Sequence, residues 1–258
     1  MKLHFYKYQG TGNDFVILDN RQGIFDASRT DLIKQICDRR FGVGADGFML
    51  LENTPGYDFK MVYFNADGNE STMCGNGGRC LVAFAHKMGV FEKDTRFLAI
   101  DGEHWANIQD GIVHLKMIDI AQVEQNETFC WLNTGSPHYV KFVKNIADYP
   151  VFEEGKSIRY NDRFKAEGTN VNFAEKIADN EIFVRTYERG VEDETYSCGT
   201  GVTAAALVAS LKGFTSPVKI KTLGGNLSIG FKANTSGGFE EVYLNGPAEL
   251  VFEGEIEV

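Results

Sequence analysis

Long hydrophobic runs are missing from this sequence of 258 residues. No stretch approaches the roughly 18 consecutive apolar residues of a bilayer-spanning helix, so no such helix is predicted. The segment Met1–Lys7 also lacks the apolar core of a signal peptide, and we therefore expect a cytoplasmic protein. Apolar residues still make up 43% of the chain, which is ordinary for a globular protein and argues against a disordered or collagen-like one.

Positive charge is also in short supply. The 26 Lys and Arg residues are outnumbered by 36 Asp and Glu residues, which leaves a formal net charge of −10. A nucleic-acid-binding protein presents a basic surface to the phosphates, and an anionic membrane surface likewise attracts basic segments. The acidic balance therefore predicts that neither a nucleic acid nor a membrane is the partner.

The cysteines are few and form neither a disulfide framework nor a metal-binding pattern. There are five, an odd number, and no Cys-x-x-Cys pair occurs, so reduced thiols in a cytosolic protein are predicted. Cys37, Cys80 and Cys130 are expected to be small buried side chains. No metal site is expected, because ligand spacing is also lacking among four of the histidines, namely His4, His86, His104 and His114.

The other two cysteines begin a motif that the chain repeats. Cys-Gly-x-Gly starts at Cys74 and again at Cys198, and each copy leads through a helix-like stretch to a glycine, Gly89 or Gly213. Three further segments recur at an offset of 123 or 124 residues: Thr11–Val16 with Thr134–Tyr139, Gly44–Asp46 with Gly168–Asn170, and Val62–Asn65 with Arg185–Glu188. Ordered matches at one offset indicate an internal duplication.

We therefore predict two similar halves, residues 1–118 and 119–246, with a C-terminal strand over 247–258 returning to the first half. Helices are predicted at Thr30–Arg39, Gly77–Met88 and Gly201–Lys212, and the last is apolar almost all round, which indicates burial on every side. Strands are predicted where short apolar runs lie between turn residues: Phe15–Leu18, Phe48–Leu51, Met61–Phe64, Tyr139–Val143 and Ile182–Val184. The expected fold class is α+β, with two pseudo-symmetric mixed β/α domains, each a strongly curved sheet around a central helix.

Each repeated cysteine precedes glycines that open a predicted helix. The first N–H groups of a helix have no intrahelical acceptor, and the dipole is positive at that end. A thiol placed there ionises more easily, and the same N–H groups can hold a carboxylate. If the two halves bring these helix starts face to face, the sulfurs flank one carbon, so that a thiolate removes a proton from one face and a thiol returns one to the other. The pattern predicts inversion at a carbon next to a carboxylate without an electron-sink cofactor.

Several motifs resemble those of the diaminopimelate epimerase family. Phe64–Gly68 followed by Met73–Cys80 is similar to the first signature of that family. Further similar segments occur in family order along essentially the whole chain: Gly12–Val16, Gly42–Gly47, Pro137–Val140, Thr169–Phe173, Glu188–Val191 and Cys198–Gly201. The related proline racemases and hydroxyproline epimerases typically carry His where this chain has Asn76, so Asn76 favours diaminopimelate.

The resemblance implies roles for the matched residues. It makes Cys74 and Cys198 the acid/base pair, with His138 and Glu188 assisting proton transfer. It implies no pyridoxal phosphate, metal or other cofactor, a small-molecule substrate and a homodimer. Ser136 stands where many members have Asn, so its contact with substrate stays open. The residues implied to bind substrate are Asn13, Asn65, Gly75, Asn76, Asn170, Glu188, Arg189, Gly199 and Thr200.

The implied function is conversion of L,L-diaminopimelate to the meso form, which supplies lysine and peptidoglycan precursors. Two alternatives remain open. A proline or hydroxyproline racemase would share the paired cysteines, but its substrate lacks the distal amino and carboxyl groups that Asn170, Glu188 and Arg189 are implied to bind. A non-catalytic relative of the same fold would bind a carboxylate without using thiols, and the presence of both cysteines argues against it.

Overall fold

The computed structural model describes residues 2–257 and divides the chain into two compact units. Unit 1 contains the described residues of Met1–Leu115 together with those of Pro247–Val258, and unit 2 contains Lys116–Gly246. The C-terminal segment therefore belongs to the same unit as the N-terminal strand, with which it pairs in antiparallel fashion. No helix among residues 2–257 is both long and apolar enough to cross a membrane.

Unit 1 is a mixed sheet with two helices. Its strands are β1 (Lys2–Gly10), β2 (Asn13–Asp19), β3 (Gly47–Glu52), β4 (Phe59–Asn65), β5 (Asp94–Ala99), β6 (Gly102–Gln109), β7 (Ile112–Lys116, at the boundary) and β17 (Glu249–Glu257), and its helices are α1 (Thr30–Cys37) and α2 (Gly75–Lys87). The strands lie in the order β17-β1-β2-β3-β4-β5-β6-β7, and the pairs β2–β3 and β4–β5 are parallel. Helix α2 packs against β1, β2, β3 and β6, so the sheet covers it from several sides.

Unit 2 repeats this plan. Its strands are β8 (Glu124–Gln125), β9 (Cys130–Asn133), β10 (Pro137–Phe142), β11 (Asn170–Ala178), β12 (Glu181–Glu188), β13 (Asp193–Thr195), β14 (Val218–Lys221), β15 (Asn226–Ala233) and β16 (Phe239–Gly246), and its helices are α3 (Val151–Arg159), α4 (Gly199–Ser210) and a 3₁₀ turn at Ile146–Asp148. The order is β8-β9-β10-β11-β12-β14-β15-β16, and the parallel pairs are β10–β11 and β12–β14. Helix α4 packs against β9, β10, β11, β12, β14, β15 and β16.

The two units share a strand register at an offset of 123 residues. In unit 1, Phe15 pairs with Gly47 and Phe59 pairs with Phe97. In unit 2, the residues 123 positions later pair in the same way, His138 with Asn170 and Ile182 with Ile220. Gly89 and Gly213, which follow the two central helices, both have positive φ, a conformation that glycine adopts without strain. The predicted fold class is confirmed.

One predicted match is wrong by a residue. The sequence comparison paired Gly44–Asp46 with Gly168–Asn170, but the sheet register makes Gly47 the counterpart of Asn170. The two turns begin alike, since Gly44 and Gly168 have φ values of 81° and 79°. The turn of unit 2 is then one residue shorter, so the offset changes from 124 to 123 before the strand begins.

The central helices begin earlier than predicted. Helices α2 and α4 start directly after the cysteines, at Gly75 and Gly199, rather than two residues later. The first and third predicted helices also end two residues earlier, at Cys37 and Ser210. Helix α3 was not predicted, because Gly155 in its middle weakens the helix signal. That glycine is required by packing, since a Cβ there would lie 2.4 Å from the Cβ of Tyr187.

Candidate functional site

Cys74 is the N-cap residue of the central helix of unit 1. Its backbone is extended, with φ −103° and ψ 149°, and its sulfur accepts a hydrogen bond of 3.2 Å from the N–H of Gly77. Small residues follow because the turn is crowded: a Cβ on Gly77 would lie 3.1 Å from the Cys74 sulfur. The helix start thus directs an N–H group at the sulfur, which is the arrangement that favours a thiolate.

A chain of amide groups leads away from this turn. The Nδ2 of Asn76 donates to Oδ1 of Asn13 (3.4 Å), and the Nδ2 of Asn13 donates to Asp46 (2.6 Å). Arg39 bonds both Asp46 and Asp14. The Asp14 carboxylate has its pKa held far below the ordinary value: burial would raise the pKa, but hydrogen bonds from Arg39 and Lys7 outweigh burial. Asn13 and Asn76 are therefore held in fixed orientations by charged groups.

Arg79 is fully buried beside Cys74 and bonds neutral oxygens. Its guanidinium donates to the backbone oxygens of Gly75 (3.2 Å) and Pro247 (3.4 Å) and to the side chains of Thr11 and Asn76, both at 3.1 Å. Burial lowers the pKa of Arg79 to about 10, and the group stays cationic at neutral pH. A buried positive charge one helical turn from a cysteine favours the ionised sulfur.

Asn65 lies at the same end of the unit 1 sheet. It is the last residue of β4 and pairs with Gly47, which in turn pairs with Phe15 near the start of β2. Asn13 is the first residue of β2 and Asn65 is the last residue of β4, so both lie at the same end of the sheet. Asn65 is exposed, whereas Asn76 is buried.

Cys198 is the corresponding N-cap residue of α4 in unit 2. Its backbone is again extended, with φ −116° and ψ 112°, and Gly199 and Gly201 of the first turn are buried. Its sulfur lies 3.5 Å from the hydroxyl of Thr200. The backbone oxygen of Thr200 accepts a hydrogen bond of 2.9 Å from the hydroxyl of Thr134, which ties the turn to the end of β9.

His138 is fully buried on β10. Its Nε2 lies 2.9 Å from the Ser136 hydroxyl, and its Nδ1 lies 3.1 Å from Nδ2 of Asn172. Burial, reinforced by the positive charge of Arg189, lowers the pKa of His138 to about 3, so the imidazole is neutral at physiological pH. Ser136, whose role was open, also lies 3.2 Å from the Thr200 hydroxyl.

The remaining predicted residues of unit 2 lie at the ends of β11 and β12. The Asn170 side chain donates to Ser136 and to the Pro137 carbonyl, and its Oδ1 accepts from the backbone N–H of Arg189 at 2.9 Å. Glu188 ends β12 and accepts a bond of 3.0 Å from the Thr195 hydroxyl. The Arg189 guanidinium is exposed and donates to the backbone oxygen of Glu167 rather than to another predicted site residue.

The other three cysteines have different surroundings. Burial raises the pKa of Cys37 to about 12, raises that of Cys80 further and raises that of Cys130 as well. These thiols are therefore protonated at neutral pH. Within residues 2–257 no disulfide is present, and no cluster of three His, Cys, Asp or Glu side chains has the geometry to hold a metal ion.

Several residues of these networks were not predicted from the sequence. Thr11 contacts Asn76 and Arg79, Thr134 contacts Thr200, and both threonines lie in segments that the chain repeats. Arg79 is the one charged residue in a turn of small ones, which could have marked it. Asn172 lies two residues after Asn170 on the same strand, and alternate residues of a strand share a face.

Solved structures define the class of fold. The chain aligns over 100% of its length, and 100% of the other chain, with a phenazine biosynthesis protein of the PhzF family from Bacillus anthracis, at a TM-score of 0.78 and 12% identity. It aligns over 99% of its length, and 92% of the other chain, with a hydroxyproline epimerase from Agrobacterium vitis solved with trans-4-hydroxy-L-proline, at a TM-score of 0.68 and 13% identity. At such identities the likeness establishes the two-unit fold alone.

Sequence relatives identify the family within this fold. The profile described as diaminopimelate epimerase matches residues 5–112 and 130–251. The diaminopimelate epimerase of Flavobacterium psychrophilum is 51% identical, over 99% of this chain and 100% of its own length, and that of Chlorobaculum tepidum is 42% identical, over 96% and 98%. The chain belongs to the diaminopimelate epimerase family, and the prediction of an isomerase is confirmed.

Proposed function

We propose that this chain converts L,L-diaminopimelate to the meso form by two-sulfur proton exchange at one α-carbon, with Cys74 and Cys198 as the acid/base pair. The observation that carries the proposal is the position shared by the two cysteines. Each is the N-cap residue of the buried central helix of its own unit. Family membership supports the choice of substrate.

The proposed reaction balances without a redox partner. One sulfur is a thiolate, and it forms an S–H bond as the α-carbon loses its proton from one face. The electron pair left on the carbon is delocalised into the adjacent carboxyl group. The partner thiol gives its proton to the opposite face and becomes the thiolate, so the two sulfurs exchange roles in the reverse direction. We propose that no pyridoxal phosphate, metal or other cofactor takes part.

The binding roles follow the charge of each substrate group. A carboxylate next to the reacting carbon suits the N–H groups of the first helical turns, to which Gly75, Asn76, Gly199 and Thr200 belong. The amino groups and the distal carboxylate are proposed to be held by residues that end strands or follow them, namely Asn13, Asn65, Asn170, Glu188 and Arg189. Glu188 and His138 are proposed to assist proton transfer, His138 as a neutral group.

The proposal also covers the two halves of the chain, the oligomeric state, the partners and the location of the enzyme. Residues 1–118 with 247–258 form one epimerase half, and residues 119–246 form the other. The enzyme is a cytoplasmic homodimer without nucleic-acid or membrane partners, and its product supplies lysine and peptidoglycan synthesis. The net charge of −10 supports the absence of a nucleic-acid partner.

The test is turnover of the purified protein with three substrates under identical conditions. We expect L,L-diaminopimelate to yield the meso isomer, resolved by chiral chromatography, while L-proline and trans-4-hydroxy-L-proline remain unchanged. Activity should persist after treatment with a carbonyl reagent or a chelator. Inversion of proline but not of diaminopimelate would establish the alternative racemase, and loss of activity restored by pyridoxal phosphate or metal would exclude the two-thiol reaction.

A further inference from the structure

A line of hydrogen bonds joins the buried imidazole of His138 to the sulfur of Cys198. Its links are His138 Nε2 to Ser136 Oγ (2.9 Å), Ser136 Oγ to Thr200 Oγ1 (3.2 Å) and Thr200 Oγ1 to Cys198 Sγ (3.5 Å). A neutral imidazole nitrogen and a hydroxyl group can each donate or accept. The Thr200 hydroxyl can therefore either donate to the Cys198 sulfur or accept from it, depending on which atom of each pair carries the proton.

Asn172 fixes the direction at the imidazole. Its Nδ2 donates to the backbone oxygen of Tyr139 (2.9 Å), which can only accept, and its Oδ1 accepts from the hydroxyl of Thr186 (2.9 Å). The amide nitrogen is thus the group that lies 3.1 Å from Nδ1 of His138. Because that nitrogen only donates, Nδ1 accepts, and the single proton of the neutral ring is on Nε2. His138 donates to Ser136.

Asn170 fixes the direction at Ser136 in the same way. Its Nδ2 donates to the Pro137 carbonyl (3.1 Å), and its Oδ1 accepts from the backbone N–H of Arg189, so its amide orientation is set. The same Nδ2 donates to Ser136 Oγ at 3.2 Å. The serine oxygen then accepts two bonds, one from His138 and one from Asn170, which fills both lone pairs.

The protons of the two hydroxyl groups are therefore directed along the line. Ser136 has its own proton left to donate, and the neighbouring acceptor is Thr200 Oγ1. Thr200, having accepted from Ser136, directs its proton at the Cys198 sulfur. A hydrogen bond donated to an ionised group stabilises the charged form, and burial of His138, Asn170 and Asn172 strengthens the bonds of the line.

We propose that Asn172 is a positioning residue that keeps the His138 proton on Nε2 and so directs the Ser136 and Thr200 hydroxyl groups to donate to Cys198, stabilising its thiolate. The proposal rests on the proposed function only for the use of Cys198 in catalysis. In this proposal Ser136, which replaces the Asn of many family members, accepts a hydrogen bond from the His138 imidazole and donates one to the Thr200 hydroxyl. The charged group that acts on the imidazole is Arg189, which disfavours its protonation.

The tautomer is tested by ¹⁵N NMR of the histidine-labelled protein without substrate. We expect one neutral imidazole with its proton on Nε2, unchanged down to about pH 4, and assigned by its loss in His138→Gln. In Asn172→Asp the carboxylate accepts instead of donating, so Nδ1 should become protonated, either in the other neutral tautomer or in an imidazolium ion. A proton on Nδ1 in the unsubstituted protein would overturn the assignment.

The effect on sulfur is tested by the pH profile of iodoacetamide alkylation, with each cysteine peptide quantified by mass spectrometry. Ser136→Ala breaks the line, and we expect the Cys198 midpoint to rise by about one pH unit, a tenfold loss of thiolate at a given pH. Ser136→Thr, which keeps the hydroxyl, should leave the midpoint in place, as should Asn13→Ala at the equivalent position of unit 1. Cys74 is the internal reference in the unsubstituted protein and in the two Ser136 variants.

The outcomes separate this proposal from the proposed function, because neither measurement uses substrate. An unmoved Cys198 midpoint in Ser136→Ala, or an equal shift of both cysteines, would contradict the hydroxyl line even in an active epimerase. A selective shift of Cys198 would support it even if diaminopimelate proved not to be the substrate. Coincident unfolding transitions of the variants would show that the shift is not caused by loss of structure.

Discussion

The two cysteine turns share a backbone but differ in the groups that surround the sulfur. In unit 1 the Cys74 sulfur accepts from the N–H of Gly77, and a fully buried cation, Arg79, bonds the same turn. In unit 2 the Cys198 sulfur lies near the hydroxyl of Thr200, which leads to a neutral imidazole. The two units thus share the helix start and differ in the electrostatic surroundings of each thiol.

Two pairs of equivalent residues account for the difference between the units. Arg79 corresponds to Thr203, and both donate to the backbone oxygen four residues earlier, Gly75 or Gly199. His138 corresponds to Phe15, and both are fully buried at the same register of a parallel strand pair. Each unit therefore carries one buried ionisable side chain where its counterpart has a neutral residue. The fold sets the position of each cysteine, and the two units differ in the ionisable side chain buried near it.

The largest expected effect comes from removing either sulfur. Cys74→Ala and Cys198→Ala should each lower kcat for epimerisation by about 10⁴-fold or more, because a general acid or base contributes about 10²–10⁴-fold and each direction needs both groups. Cys37→Ala, Cys80→Ala and Cys130→Ala should keep most activity. Epimerisation by the Cys198→Ala protein at near-normal rate would contradict the equivalence of the turns.

The second effect separates Arg79 from Thr203. Arg79→Met removes four hydrogen bonds and leaves buried acceptors, so we expect the free energy of unfolding to fall by about 3 kcal/mol. Thr203→Val removes one neutral bond and should cost about 1 kcal/mol. Urea unfolding of both variants measures the difference. Equal losses would show that the buried cation is no more important to its turn than the threonine.

The third effect concerns the second glycine of each turn. A Cβ on Gly201 would lie 2.3 Å from Oδ1 of the buried Asn172, whereas a Cβ on Gly77 would lie 3.1 Å from the Cys74 sulfur and 3.5 Å from Met49. Overpacking costs about 1–3 kcal/mol, so Gly201→Ala should lower the unfolding free energy by about 2 kcal/mol and Gly77→Ala by less. Thermal unfolding of the two variants measures which is destabilised more. A larger loss in Gly77→Ala than in Gly201→Ala would contradict the packing described for Asn172.

The fourth effect is a pH dependence of stability that arises from His138 in unit 2. The pKa of His138 is about 3 in the folded protein and 6.5 when unperturbed, so the unfolded chain binds a proton that the folded chain does not. The contribution of His138 to the free energy of unfolding should therefore be fully present above about pH 6.5. It should be lost as the pH is lowered toward 3, with a slope of roughly 1.4 kcal/mol per pH unit. Asp14 and other carboxyl groups with depressed pKa values, such as Glu192, contribute mainly at lower pH, so His138 dominates urea unfolding measured between about pH 5.5 and 6.5.

His138→Gln is the matched comparison for that dependence. Gln can donate to Ser136 and accept from Asn172, but it does not titrate. The variant should lose stability more slowly than the unsubstituted protein as the pH falls through this range. Identical slopes for the two proteins would show that His138 is protonated in the folded state as readily as in the unfolded state.

The sequence predicted those parts of the fold and site that depend on local pattern. The duplication, the buried central helices and the two cysteine turns were all visible, because glycine spacing and apolar runs are local signals. The contacts of Asn172 were not, since Asn172 and Gly201 are distant in sequence and come together only when β11 packs against α4. Burial of Arg79 was hidden for a similar reason: charged residues are almost never fully buried unless paired.

The measurement that tests the central claim most directly is epimerisation of L,L-diaminopimelate in D₂O, followed by mass spectrometry at early conversion. If two different sulfurs act on opposite faces, the proton removed from substrate is not the one returned. The meso product should then carry one deuterium at the inverted α-carbon in every molecule, while unreacted substrate carries almost none. Product that retains a substantial fraction of the original proton would mean that a single base serves both faces, and the account of paired cysteine turns would be contradicted.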